Sequence, residues 1–300
     1  MRAVLHDASK MSKATTQATR PEPPRIKKFR GELIKVIPRF PNDRASLLHM
    51  QQKHLPELLI DYINWRSRYV GQRPRAVSAE PAAQADPRWG ARAAVITAFL
   101  DEVRRGDDLT PYLSIEPHTK GYTPAARAQG ATPVDRWSDK DFVLNVMGYH
   151  HFHLGTKVQK RGHVDRTDDL IFAEVQRDTF NVIAVFGHDV FDPNSAERKR
   201  LWSVHDQVAY RGVPPGSVVV SAMIATSGHT LKVVRYAQYC ARYIRDFEPK
   251  LDDLNYMASL YPPGQQMSHK PKFAWGFRHL DLVIQEAVAP INLVLTKGWN

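Results

Sequence analysis

The stretch Tyr149-His150-His151-Phe152-His153-Leu154-Gly155 holds three imidazoles within four positions. In an extended chain, successive side chains point to opposite faces. His151 and His153 would then project together with Tyr149, while His150, Phe152 and Leu154 turn toward a core. Two imidazoles one pleat apart suit acid–base catalysis, metal binding or a plain polar sheet face. A further His lies downstream in Gly187-His188-Asp189-Val190-Phe191, and a basic segment with Lys157, Lys160, Arg161 and Arg166 lies between the two.

That basic segment argues for a bound anion rather than a bound cation. Cleaving RNA without metal needs a base for the 2′-hydroxyl proton, an acid for the leaving 5′-oxygen and a cation for the phosphorane charge. Imidazoles, with an ordinary pKa near 6.5, share the first two roles at neutral pH, and arginine suits the third. The expected catalytic set is therefore His151, His153, His188 and Arg166, with Lys157, Lys160 and Arg161 holding substrate, and with no metal or cofactor. Arg166 has a purely structural alternative as an ion-pair partner of Asp168 or Asp169. The alternative chemistry is a metal-dependent hydrolase or phosphoesterase using His151, His153 and His188, with Asp189 as a further ligand.

Several known patterns fail. A cupin would place a glutamate shortly after the second His, where Lys157 and Val158 stand. A histidine-triad hydrolase would place another His where Gly155 stands. The stretch from Gly148 to Phe191, with HHFHLG, RTDDLIFAEV and GHDVF, resembles the barnase–colicin–RelE superfamily of toxin-type ribonucleases. Their helices precede an antiparallel meander carrying His, Arg and sometimes Tyr. The resemblance implies ribonuclease activity, as the toxin of a toxin–antitoxin or phage-defence system with an acidic inhibitor or antitoxin as protein partner.

Two weaker constellations accompany this one. Ser227-Gly228-His229 precedes an amphipathic run, and a helix beginning there would offer free N–H groups to phosphate. Ser227 could equally be a plain helix cap. The run WRSRYVGQRPR carries Arg66, Arg68, Arg73 and Arg75, more cations than a helix C-terminus requires, so a phosphate-facing patch is expected. Interspersed arginines and aromatics in IDYINWRSRYV and VVRYAQYCARYIRDF would suit stacked bases, although helical packing claims many of these rings.

The elements positioning these groups follow from periodicity and punctuation. Residues 145–190 read as an antiparallel meander of 149–154, 170–175 and 182–186, with QRDT as a tight turn. Residues 1–30 read as a disordered basic arm, with Arg25, Lys27, Lys28 and Arg30 continuing into Lys35 and Arg39 of an extended segment. Helices are expected over 45–70, kinked or restarted at Pro56, and over 91–105, ended by Gly106. Residues 76–90 and 107–140 read as linkers. A helix over 194–210 with Trp202 inward, a strand over 217–225, a helix from about Gly228 to Phe247 and two strands around Pro290 complete the chain. The mixture predicts an α+β protein: a helical region at 31–140, and at 141–300 the candidate catalytic region with a mixed, mainly antiparallel sheet.

Composition bounds the rest. A single cysteine, Cys240, excludes an internal disulfide and a Cys-based zinc site. With no apolar run of membrane-spanning or secretory length, a cytoplasmic protein without a membrane partner is expected. The net charge of +11 favours a polyanion, RNA before DNA. A non-catalytic nucleic-acid-binding protein is the remaining alternative.

Overall fold

The computed structural model describes residues 21–39, 41–114, 143–160, 162–218, 223–225, 227–289 and 291–300. The protein is α+β, with two sheets and two groups of helices.

The first sheet has the order β1-β4-β3-β2. β2 (Tyr149–His153), β3 (Asp169–Val175) and β4 (Thr179–Gly187) form the expected antiparallel meander. β1 (Ala76–Ala79) pairs in parallel with β4, from Ala76 opposite Thr179 to Ala79 opposite Val182. The expected linker over 76–90 is therefore replaced by a strand and two short helices, α4 (Pro81–Gln84) and α5 (Pro87–Ala91). The pairing of β3 and β4 shifts register between Phe172 and Ala173, leaving Ile183 as the extra residue on β4.

Both faces of this sheet are covered. On one face Phe152, Ile171, Ala173, Phe180 and Val182 pack against Ile96, Phe99, Leu100 and Val103 of α6 (Ala93–Arg105). On the other, Tyr149, Leu170, Phe172, Ala184 and Phe186 pack with Leu201 and Val204 of a helix at Ala196–Ala209, α7. Ser195 caps α7 by accepting from the Arg198 N–H at 2.9 Å. Trp202 points outward, not inward as expected, because Leu201 and Val204 already supply the buried stripe.

The second sheet is β5 (Phe273–Arg278), β6 (Asp281–Glu286) and β7 (Ile291–Thr296), all antiparallel. It shares a core with α1 (Pro24–Val36), α2 (Arg44–Gln52), α3 (Leu55–Arg66) and α8 (Leu231–Phe247). The arm expected over 1–30 lies outside the described residues up to 20. Within 21–30 it is corrected: α1 buries Ile26, Phe29 and Leu33 at helical spacing, and Arg25 bonds Glu248 and Asp252. The 45–70 helix is two helices. Asp43 caps α2, and Pro56 sits in the first turn of α3.

Each core draws on both sides of the boundary expected near residue 140: β1 joins the meander, and α1–α3 join the C-terminal strands. Asp281 ties the halves together. It accepts two bonds from Arg177 in the β3–β4 turn, at 2.6 and 3.0 Å, and one from the Gly298 N–H at 2.8 Å. Most of the expected 107–140 connection and residues 219–222 of the expected 217–225 strand lie outside the described residues. Residues 223–225 form only an isolated bridge, Ile224 opposite Thr230.

Candidate functional site

The alternation in Tyr149–His153 places the imidazoles as it predicts. His151 and His153 share the face of Tyr149, and the chain brings His188 to them. The ring centroids of His151 and His153 are 6.3 Å apart, and those of His153 and His188 are 6.2 Å apart. Phe191 lies against both outer rings, 5.2 Å from His151 and 5.5 Å from His188. Farther along the same face, the Tyr149 hydroxyl meets His205 Nδ1 at 3.1 Å.

Exposure separates the three. His151 and His188 are half-buried, whereas His153 is only 3% exposed. The expectation that His151 and His153 both reach substrate is corrected for His153. The 3-10 turn His188–Phe191 and α7 cover this face, so His153 sits behind the other two rings.

His150 occupies the opposite face and is buried. Its Nε2 lies 3.0 Å from the Ser67 carbonyl, which can only accept, so Nε2 carries the proton and Nδ1 is a bare acceptor. Among the described residues, Nδ1 has no hydrogen-bond partner. Burial pushes this imidazole down to about 4, with the Ser67 bond opposing, so it is neutral at physiological pH.

The described residues of the basic segment after β2 form a hairpin. Val158 bridges Val164, the Asp165 N–H donates to Lys157 O at 2.9 Å, and the Lys157 N–H donates to Asp165 Oδ1 at 2.8 Å. A Cβ on Gly155 would lie 2.1 Å from the Asp165 carbonyl, so the close approach requires glycine. Lys157, Lys160 and Arg166 are exposed, while Arg161 lies outside the described residues. Asp169 pairs with Arg92 at 2.9 Å rather than with Arg166. The Val164 N–H donates to Pro111 O at 2.9 Å, fastening the hairpin to the turn at Thr110–Tyr112.

The four arginines expected as one patch separate. Arg68 is buried and donates to Asn64 O at 2.6 Å. Arg75 is buried and donates to Gly71 O at 2.8 Å and to Gln176 O at 2.9 Å. Burial pulls Arg75 down to about 10, with repulsion from Arg73 adding to it. These two satisfy backbone carbonyls and are not available to substrate; Arg66 and Arg73 line a cavity instead. Ser227 and His229 are corrected too. Thr230, not Ser227, caps α8, accepting from the Val233 N–H at 3.2 Å. His229 is buried, with Nδ1 3.1 Å from Ser227 Oγ. Cys240 is fully buried and its thiol is pushed up to about 12, so it is a packing residue.

Sequence reasoning missed a cavity of about 630 Å³ between the π-turn Val143–Met147, β3 and the start of α8. His150, Glu174 and Lys232 line it. Lys232 Nζ stands 4.7 Å from the Trp299 ring centroid; burial lowers its pKa, and Glu174 partly opposes this. A signal was present: Lys232 is in the first turn of a helix, where the macrodipole disfavours a cation.

Among the described residues no group of three or more His, Cys, Asp or Glu side chains is arranged to hold a metal ion, so the His151, His153 and His188 metal site gains no ligand set. No described helix is long and apolar enough to cross a membrane. Fold and site together define an α+β protein with a histidine-lined sheet face beside a basic hairpin. Comparisons with protein-family models, curated proteins and solved structures find no match.

Proposed function

We propose that the protein is a cytoplasmic, metal-independent ribonuclease, with His151 and His188 as the acid–base pair. The observation that carries this reading is the half-buried pair His151 and His188, each within ring contact of His153 and of Phe191. One imidazole takes the proton of an RNA 2′-hydroxyl, and O2′ attacks phosphorus. The bond from phosphorus to the 5′-oxygen breaks, and the other imidazolium protonates that oxygen. The products are a 2′,3′-cyclic phosphate and a 5′-hydroxyl. Arg166 and Lys157, on the hairpin that continues from β2, supply positive charge for the phosphorane. Buried His153 is a positioning residue between the two rings. Helices preceding an antiparallel meander also support the resemblance to the barnase–colicin–RelE superfamily, and with it a toxin role and an acidic antitoxin as partner.

The test is cleavage of single-stranded RNA in excess chelator. His151→Ala and His188→Ala should each lower the rate about a hundredfold, the usual scale for a general acid or base. The double change should cost less than the sum of the two effects, because the groups act as a unit. The rate should pass through a maximum with pH, since one ring must be neutral and the other protonated. RNA bound but left intact by the native protein, or full activity in the double variant, would overturn the reading.

A further inference from the structure

A second cavity, of about 440 Å³, opens where the two halves of the protein meet, and residues from segments distant in sequence line it, among them Arg66, Arg73, Asp108, Thr110, Arg278 and His279. Three arginines and one aspartate are therefore among its lining residues. The aspartate is already engaged, since Asp108 Oδ1 accepts from the Thr110 N–H at 2.9 Å.

The arginines are poorly neutralised elsewhere. Among the described residues Arg73 has one carboxylate within 4 Å, that of Asp281 at 3.8 Å, and Asp281 is already held by the two bonds from Arg177. Burial, and then repulsion from Arg177, lower the Arg73 pKa despite the attraction of Asp281 and Asp178. The well-paired Arg25 goes the other way, raised by its hydrogen bond to Asp252. Arg278 is exposed, and among the described residues no ion pair or hydrogen bond of its side chain occurs. Like charges gathered without a counter-charge repel one another, and a bound anion would remove that repulsion.

The cavity wall is built rather than accidental. His279 has φ = 56°, a left-handed conformation that a residue with a Cβ seldom adopts. Its ring Nδ1 lies 3.2 Å from Arg66 Nη2, and its Nε2 lies 2.8 Å from Asn300 Oδ1. Asn300 Nδ2 in turn donates to Tyr69 O at 3.1 Å. A guanidinium can only donate, so Nδ1 accepts and Nε2 carries the proton. Burial, followed by repulsion from Arg66, pushes His279 down to about 4, which preserves that acceptor. The Arg66 guanidinium carbon also stands 5.2 Å from the Trp65 ring centroid and 5.0 Å from that of Tyr69. Gly71 leaves the floor open, since a Cβ there would stand 3.1 Å from His279 Cδ2.

We propose that this cavity binds a phosphate group, held by the guanidinium groups of Arg66, Arg73 and Arg278, with His279 as a positioning residue for Arg66. Forked guanidinium donors match phosphate oxygens geometrically. The phosphate could belong to an RNA backbone or to a free phosphorylated small molecule. The turn at Thr110–Tyr112 lines the cavity through Thr110 and also anchors the basic hairpin, so it links the cavity to the histidine face. The inference does not rest on the ribonuclease reading.

The test is thermal unfolding of the full chain in rising inorganic phosphate, with chloride at matched ionic strength as the control. A ligand that binds only the folded state raises Tm saturably. The native protein should show this with phosphate and not with chloride. Arg278→Gln, at an exposed position, should raise the half-saturating concentration at least tenfold, and Arg66→Gln should do the same. Competition separates the sources: displacement by a single-stranded RNA oligonucleotide at lower concentration than by a nucleoside monophosphate identifies a backbone phosphate, and the reverse order a free ligand. Equal half-saturation in the native protein and both variants, or an equal response to chloride, overturns the proposal. The His151→Ala, His188→Ala double variant should bind phosphate unchanged, so a failure of this site and a failure of the catalytic reading give different results.

Discussion

His150 and His279 are both held neutral, and each makes the folded protein refuse a proton that the unfolded chain accepts. For His150 burial is the main cause; for His279 burial is reinforced by Arg66. Both are pushed from the ordinary 6.5 to about 4. Between those pH values the unfolded state binds more protons than the folded state, so stability rises with pH. It is fully present above about 6.5 and is lost as pH falls toward 4, by about 1.4 kcal/mol per pH unit for each group at most. His205 and His229, also lowered by burial, act in the same direction. The depressed carboxylates, such as Glu80 with its bond from Arg211 and Asp281 with its bonds from Arg177, begin to lose their contribution only as pH falls to their ordinary values, 4.5 and 3.8. Urea unfolding at pH 7, 6 and 5 should therefore show a clear fall in stability. His150→Gln keeps a donor for the Ser67 carbonyl without a titrating ring, and should make that fall shallower. A native protein equally stable at pH 7 and 5 would contradict the protonation states assigned to both rings.

At the scale of elements, two glycines contrast sharply. Gly106 ends α6 in the left-handed conformation, φ = 80°, and a Cβ there would come within 2.4 Å of the backbone at Arg73 and Pro74. Gly31 lies inside α1, where a methyl group would meet nothing within 4 Å. Gly106→Ala should cost more than the 1–2 kcal/mol, roughly, of a left-handed backbone alone, whereas Gly31→Ala should stabilise by up to about 1 kcal/mol. Chemical denaturation of the two variants checks both signs. Gly106 also illustrates what was legible: its place after VITAFLDEVRR marks a helix end from sequence alone. The alternation in YHHFHL likewise gives β2 and its two faces. It does not give the burial of His153, because the covering turn and helix come from residues 188–209. β1 escapes notice because AVSA has weak strand preference and is extended by its pairing with β4. α1 is hidden by its charges, although Ile26, Phe29 and Leu33 already carry the helical spacing. The phosphate cavity joins Arg66 and Arg73 to Arg278 and His279, a convergence that only tertiary structure creates.

For the whole molecule, net charge becomes informative once the neutralised cations are set aside. Arg25 is bound to Glu248 and Asp252, Lys53 to Asp61, Arg88 and Arg200 to Asp86 and Glu197, and Arg177 to Asp281. These pairs stabilise the fold and contribute little to an approaching polyanion. In the N-terminal cluster Arg25, Arg30 and Lys35 are in ion pairs, while Lys27 and Lys28 are exposed. The excess is left on groups such as Lys157, Lys160 and Arg166 of the hairpin and Arg73 and Arg278 of the cavity. If Lys157, Lys160 and Arg166 each meet a phosphate of single-stranded RNA and the cavity holds a fourth, the logarithm of the binding constant should fall with the logarithm of salt concentration with a slope of about −2.8, since each neutralised phosphate contributes about −0.7. Fluorescence anisotropy of a labelled, non-cleavable oligonucleotide between 50 and 300 mM salt, roughly the range over which such slopes are read, would measure it. Replacing Lys157 and Lys160 together by Gln should make the slope shallower by about 1.4. Removing exposed Lys27 and Lys28 from α1, outside both proposed sites, should leave it where it was. A slope near zero, or one that responds to α1 and not to the hairpin, would mean that RNA does not bind along the surface joining the histidine face to the arginine cavity.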